Sequence, residues 1–467
     1  MKRLGVVLFL LLLFSLSCSA LSRAGEKLSS TGTALSTVTS TAIPSTLTPI
    51  PPTPVVYIPP ACQGKPVATL PPGATSAQPT PTLDVNPPLT TQEQLKVFDK
   101  LVAKVNEVYL YPDFNGVDWK GIVKDERAKI AQGLDTETFY FDLVTMITDL
   151  GDDHSQFESP AMVAQADAEL SGKNDYVGIG AVVLPMVAKG RATILSVFPD
   201  SSADHGGLKP HDSILAVDGI PIVQDGVAHT ERTRGPECSA VVLTIQSPGG
   251  EPHDVTFIRN RISAPLPIEA RLVPTTDGSR IGYIYLPTFF DETIPGQVKK
   301  ALEDFGPLDG LILDNRMNGG GSSDVVEPIL GYFVDGPLGN FISQKAKRPL
   351  TVTGDPVNNS LTVPLIVLVG EDTVSFGEIF SGALQDIGRA KLIGQTTLGN
   401  VEILHGYSFD DGSRVWIAQE RFDPLVSHAN WERDGIHPDV QAYADWDTFT
   451  FETDPAIAAA LALWGKK

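Results

Sequence analysis

Positive charge is scarce in this chain. Its 467 residues carry 35 Lys and Arg against 56 Asp and Glu, a formal net charge of −21 at pH 7. Nucleic acid is thereby excluded as the expected partner, because phosphates demand basic patches. The same acidity makes a poor match to anionic lipid. Histidines are few, and none shows a metal-ligand spacing such as HExxH, so no metal is expected. No cofactor motif and no internal repeat are seen. Beyond the first residues no apolar run is long enough to suggest a mature transmembrane helix. The length itself exceeds one ordinary core and points to two or three domains.

The apolar run that does exist is N-terminal. Lys2 and Arg3 precede "LGVVLFLLLLF", and "SLSCSA" follows. This pattern is read as an export signal over residues 1–18. It is similar to lipoprotein signals, with Cys18 as the lipidated residue, although Ser15 stands where leucine is usual. A plainly cleaved signal is the alternative. Either reading implies an exported protein, held at the extracellular face of the membrane by the lipid if Cys18 is lipidated and secreted if it is not. Cys62 and Cys238 then remain, an even pair in an oxidising compartment. They are either disulfide-bonded or two unpaired thiols.

Residues 19–88 are rich in Ser, Thr, Pro and Ala and lack a periodic apolar face, so a disordered stalk is expected. Folded structure is expected from Thr90. A capping box, Thr90 to Glu93, opens a helix whose Leu95, Phe98, Leu101, Val102 and Val105 recur at helical spacing. A second helix carries Phe139, Leu143, Met146, Ile147 and Leu150 on one face, stops at Gly151 and leads into "DDHSQF". Residues 89–171 are thus a helical domain. Residues 172–263 turn to short strands, "YVGIGAVVL", "RATILSVF", "DSILAVDG" and "AVVLTIQS". From 264 to 467 strands and helices alternate, the rhythm of an α/β domain with parallel pairings. The fold class expected is multidomain α+β.

Three stretches carry the chemistry. In "TVSFGEIFSGALQDIG", Ser375 precedes a helical face and meets the positive end of a helix dipole. Phe376 N–H could serve a developing oxyanion. Ser375-x-x-Glu378 is equally a capping box, in which the hydroxyl does nothing but satisfy backbone donors. In "LILDNRMNGGG" a strand ends at Asp314 and Arg316, and Gly319–Gly321 allow close backbone approach. Gly320 or Gly321 could supply a second oxyanion donor; otherwise the run is a turn. The third stretch pairs "GDDHSQF" with "WERDGIHPDV".

Taken together, "LDNRMNGGG", the serine after "PLIVLVG", "GQTTLGN" and "GIHPDV" resemble, in order, the C-terminal processing (tail-specific) and tricorn-core serine peptidases. "SSADHGGLKPHDSILAVDGIPI" is similar to the centre of a PDZ domain, with Val177, Gly178, Ile179 and Gly180 in its carboxylate-binding loop. The resemblance implies a catalytic domain of the ClpP/crotonase-like type and protein or peptide substrates recruited by their C-termini. It departs at one place. Asn400 stands where the tail-specific branch has its lysine base, and an amide cannot accept the serine proton. The tricorn-like branch uses histidine and glutamate instead. That register implies Ser375 as nucleophile, His154 as base and Glu432 as the third member, acting directly or through Ser155, Asp153 or water. Without the resemblance, His154 reads as a helix-end charge partner and Glu432 as a surface acid. A catalytically inactive binding protein on the same scaffold is the alternative. Oligomeric state is left open.

Overall fold

The computed structural model describes residues 56–69, 86–152, 154–170 and 175–466. Cys18 and Asp153 lie outside these residues. Among the described residues no helix is long and apolar enough to cross a membrane.

The α/β part is built on a six-stranded sheet. Its order is Glu269–Val273, Ile281–Tyr285, Gly310–Asp314, Leu365–Val369, Lys391–Gly394 and Val440–Gln441, with the first pair antiparallel and the rest parallel. Strands covered on both faces read as continuous apolar runs, as "LIVLV" does. Leu365, Val367 and Val369 pack toward helices Ile294–Phe305, Ser323–Phe333 and Phe376–Asp386. Ile366 and Leu368 point the other way, toward Trp446, Phe449 and the C-terminal helix Pro455–Leu463. Arg316 is buried between Asp314 and Asp454, whose carboxylates lie 2.5 Å from its Nη2. It ties the end of a central strand to the N-cap of that last helix.

The N-terminal helices Thr91–Val108 and Thr136–Thr148 form as the periodicity predicts, and the Thr90–Glu93 capping box is complete. Another helix, Trp119–Ile130, lies between them, capped by Asp118. Their buried face does not close on itself. Phe98, Leu101, Leu143 and Ile147 share a core with Val415, Ile417 and Ala418 of the long strand Arg414–Pro424. That strand is flanked on one side by Gln156–Glu158 and on the other by Ile403–Ser408. His154 and Glu402 therefore each stand just before one of the two strands that flank Arg414–Pro424.

The expected strands of residues 172–263 are present in a seven-stranded sheet containing Ala181–Met186, Arg191–Val197, Ser213–Val217 and Ser239–Gln246. "YVGIGAVVL" is broken into two strands at Gly180, whose φ is +88° and whose missing Cβ would stand 2.2 Å from Ser201 Cβ. This unit leans on the α/β sheet through Leu184 and Leu195. His211 Nδ1–H donates to the Trp446 carbonyl (2.8 Å), and Trp446 Nε1–H donates to the Ile194 carbonyl (3.1 Å).

The stalk expectation needs correction within residues 56–69. Cys62 is disulfide-bonded to Cys238, and Ala68–Thr69 pairs in parallel with Ser239–Ala240. A covalent link and a sheet edge offset the entropy that a Pro-rich segment loses on ordering. Asn86 is also fastened, donating to Glu137 at 3.1 Å. Residues 19–55 and 70–85 lie outside the described residues.

Candidate active site

Ser375 links strand Leu365–Val369 to helix Phe376–Asp386 at the carboxyl end of the parallel strands, where α/β sheets bind ligands. It occupies the N-cap position, and Glu378 at N3 takes its backbone N–H as a capping box requires, but the Ser375 side chain makes no cap hydrogen bond. Its backbone is not that of an ordinary cap. N-caps adopt extended dihedrals, whereas Ser375 has φ +55° and ψ −124°. A non-glycine residue held so costs about 1–3 kcal/mol and persists only where its surroundings enforce it. They do so here. Ser375 N–H donates to the Asn400 carbonyl (2.9 Å) and to Glu378 Oε2 (3.2 Å), while Val374 N–H donates to the Asn318 carbonyl (3.0 Å).

Glu378 is the fastener of this corner. Besides Ser375, its carboxylate accepts from Thr397 Oγ1 (2.5 Å), Gly399 N (2.8 Å) and Asn400 N (2.9 Å). Burial pushes its carboxyl above the ordinary range, and these donors work against that push. The "TTLGN" loop is thereby pinned to the serine turn. Asn400 joins through its main chain, and its buried Oδ1 has no hydrogen-bond partner.

The glycine turn abuts the serine. A Cβ on Gly320 would stand 2.7 Å from Ser375 Cβ and 3.1 Å from Phe376 N, and its φ is +97°. Gly320 N–H, one of the expected oxyanion donors, is committed to Asn318 Oδ1 (2.9 Å). Among the described residues nothing accepts from the N–H groups of Phe376, Gly319 or Gly321. Gly321 is held by the bridge to Phe289, and a Cβ there would run into that backbone at 2.0 Å.

His154 is placed by Asp152, whose carboxylate accepts from His154 N (2.9 Å), Ser155 N (2.6 Å) and Ser155 Oγ (2.6 Å). Ser155 Oγ in turn accepts from Ala418 N at 3.0 Å. The Ser155 hydroxyl is therefore occupied in anchoring the loop, which leaves it no free proton for a relay. The carboxylate opposite the imidazole is not that of Glu432. It belongs to Glu402, whose Oε2 lies 3.7 Å from His154 Nδ1. Glu402 Oε1 accepts from Tyr111 Oη (2.6 Å). Glu432 stands behind, its Oε2 accepting from Val401 N (2.6 Å) and Glu402 N (3.2 Å). No spacing in the sequence marks Glu402. Its place comes from the fold: it precedes Ile403–Ser408, which flanks Arg414–Pro424 on the side opposite Gln156–Glu158, the strand that follows His154.

The segment Asn400–Glu402 thus touches both ends of the expected dyad. Asn400 holds the Ser375 backbone and Glu402 faces His154. Two residues of extended chain span at most about 7 Å.

Away from this corner, the Val177 and Ile179 carbonyls accept from Gly235 N (3.2 Å) and Ala203 N (2.8 Å). The Gly180 carbonyl accepts from Phe198 N (2.9 Å), and Gly178 lies in the strand Asp175–Gly178. These four residues lead into Ala181–Met186, the edge strand of its sheet.

The family model for peptidase family S41 matches residues 280–442, which span the glycine turn, Ser375, the "TTLGN" loop and Glu432. This chain carries a peptidase family S41 domain. Its relatives include a carboxyl-terminal-processing protease of Synechocystis sp., 29% identical over 381 residues, covering 79% of this chain and 85% of the relative. Another is the carboxy-terminal processing protease CtpB of Bacillus subtilis, 26% identical over 347 residues, covering 73% and 68%. The solved structure of a photosystem II D1 C-terminal processing protease shares the fold, with TM-score 0.53, 22% identity and coverage of 78% and 98%. The S41 carboxyl-terminal processing proteases are serine peptidases, and this S41 chain is assigned to that hydrolase class.

Proposed function

We propose that the protein is an exported serine endopeptidase in which His154, not a lysine, activates Ser375. The observation that carries this reading is the strained, half-buried Ser375 backed by Gly320, with unengaged N–H groups beside it. Ser375 Oγ attacks a peptide carbonyl carbon as its proton passes to His154 Nε2. The oxygen that gains charge is held by Phe376 N–H and by an N–H of Gly319 or Gly321. One such donor contributes about 3–4 kcal/mol to the transition state. The protonated imidazole then delivers its proton to the leaving amine as the C–N bond breaks. A water molecule deprotonated by the same nitrogen hydrolyses the acyl-enzyme, and the proton returns to Ser375.

Asn400 supplies no base, which is why the proton must travel to the histidine. The relatives are named for carboxyl-terminal processing, and the β-rich unit presents an edge strand, Ala181–Met186, to which a substrate C-terminus could add. The PDZ-like recruitment of C-termini by Val177–Gly180 and the export signal belong to this proposal. Incubation with an unfolded protein substrate tests it. Cleavage by the wild type and none by Ser375→Ala is expected; equal cleavage by both ends the proposal.

A further inference from the structure

We infer that Glu402 is the carboxylate that positions His154, with Glu432 held behind it by the N–H groups of Val401 and Glu402. The inference rests on the function proposed above and assigns the third member of its catalytic set.

Geometry comes first. His154 Nδ1 and Glu402 Oε2 are both buried, neither has a hydrogen-bond partner, and they face each other across 3.7 Å. A shift of several tenths of an ångström joins them, and catalytic hydrogen bonds commonly tighten when substrate arrives. Nδ1 is then the protonated nitrogen, and Nε2 is left for the serine. Glu402's other oxygen is held by Tyr111, so the carboxylate cannot swing away without breaking a 2.6 Å bond. Glu432 cannot take this place while Glu402 occupies it. Its own Oε2 is engaged by the N–H groups of Val401 and Glu402.

Electrostatics gives the same assignment. Two carboxyl groups within hydrogen-bond reach in a buried site do not both ionise. The titratable groups facing the pair are His154, Tyr111, Tyr109 and, further off, Glu378. Burial opposes ionisation of Glu402, but the facing His154 imidazole, the neighbouring Glu432 carboxyl and the hydrogen bond from Tyr111 outweigh it and hold the carboxyl below its ordinary value. Burial and the neighbouring Glu402 both push Glu432 upward, against its bond from Val401. Ionisation of the pair is therefore favoured on Glu402 over Glu432. A single negative charge remains, against the imidazole that must become cationic during turnover.

The two acids respond differently to amide substitution. Glu432→Gln keeps an oxygen to accept from the N–H groups of Val401 and Glu402. Glu402→Gln removes the anion. For Glu402→Gln, kcat is expected to fall by about 10²–10⁴-fold with KM within about threefold. The acidic limb of kcat/KM should move to lower pH. Glu432→Gln should cost less than about tenfold, and Glu402→Asp should recover part of what Glu402→Gln loses. NMR of the His154 imidazole provides a readout independent of turnover. Its titration should move to lower pH in Glu402→Gln, as expected when an opposite charge is removed, and by less in Glu432→Gln. Glu402→Asp carries the comparison if Glu402→Gln does not fold. Equal losses in the two amide variants, or an imidazole titration that Glu402→Gln leaves unmoved, would overturn the inference. If the wild type cleaves nothing, the peptidase proposal fails, and the NMR comparison still decides whether Glu402 pairs with His154.

Discussion

Gly320 and Ser375 are in contact through the space where a side chain would be: a Cβ on Gly320 would lie 2.7 Å from Ser375 Cβ. No flexible side-chain tip is there to give way, because the obstructing atoms also include Val374 O at 3.0 Å and Phe376 N at 3.1 Å. Gly320→Ala should therefore push the glycine turn off the serine and separate the two halves of the oxyanion site. We expect kcat to fall by at least about 10²-fold, the loss of one donor. The helical circular dichroism should be retained. Near-normal kcat in this variant would show that the contact is incidental.

Glu378 is a second dependency. Four donors converge on its carboxylate: Ser375 N, Thr397 Oγ1, Gly399 N and Asn400 N. Glu378→Ala leaves them without an acceptor, at about 1–3 kcal/mol for each that water cannot reach. The expected result is a loss of about 3 kcal/mol or more in denaturant unfolding, together with loss of activity. A variant as stable as the wild type would mean that the "TTLGN" loop is held by other contacts.

His211 predicts how the β-rich unit responds to acid. Burial pushes its imidazole below the ordinary histidine range. The Trp446 carbonyl, Asp454 and Asp314 resist that push, and Arg316 adds to it. The unfolded or undocked state therefore binds the proton more readily than the docked one. The stabilisation is fully present above the ordinary histidine value of about 6.5 and is lost as pH falls below it. Amide protection factors in residues 440–454, corrected for the intrinsic exchange rate at each pH, should fall between about pH 7 and pH 5. His211→Gln, which keeps a donor for Trp446 without a titrating proton, should flatten that response. The same fall in the glutamine variant would assign it to another group.

Much of the architecture was legible in the residues. Helical spacing marked Phe98, Leu101 and Val105, and the apolar run "PLIVLVG" marked a strand buried on both faces. The serine corner was legible only in part. Ser375-x-x-Glu378 reads as a capping box in sequence, but in the structure the Glu378 carboxylate takes the Ser375 N–H while the Ser375 side chain makes no cap hydrogen bond, and the positive φ of Ser375, imposed by Asn400, Glu378 and Asn318, has no local signature. The acid beside His154 was not legible either. Glu432 stands in the family register, but Glu402 reaches the imidazole because strands Gln156–Glu158 and Ile403–Ser408 flank Arg414–Pro424. Pairing over such separations does not appear in any window of the chain. The Pro-rich composition around Cys62 concealed a folded segment for a similar reason: its partner, Cys238, is 176 residues away.

The central claim, that Ser375 is a nucleophile activated by His154, is tested most directly by reaction with a serine-directed fluorophosphonate. The account predicts a covalent adduct located on Ser375 by peptide mass mapping, and little or none in His154→Ala. An unlabelled wild type, or labelling at Ser375 that is undiminished in His154→Ala, would contradict it.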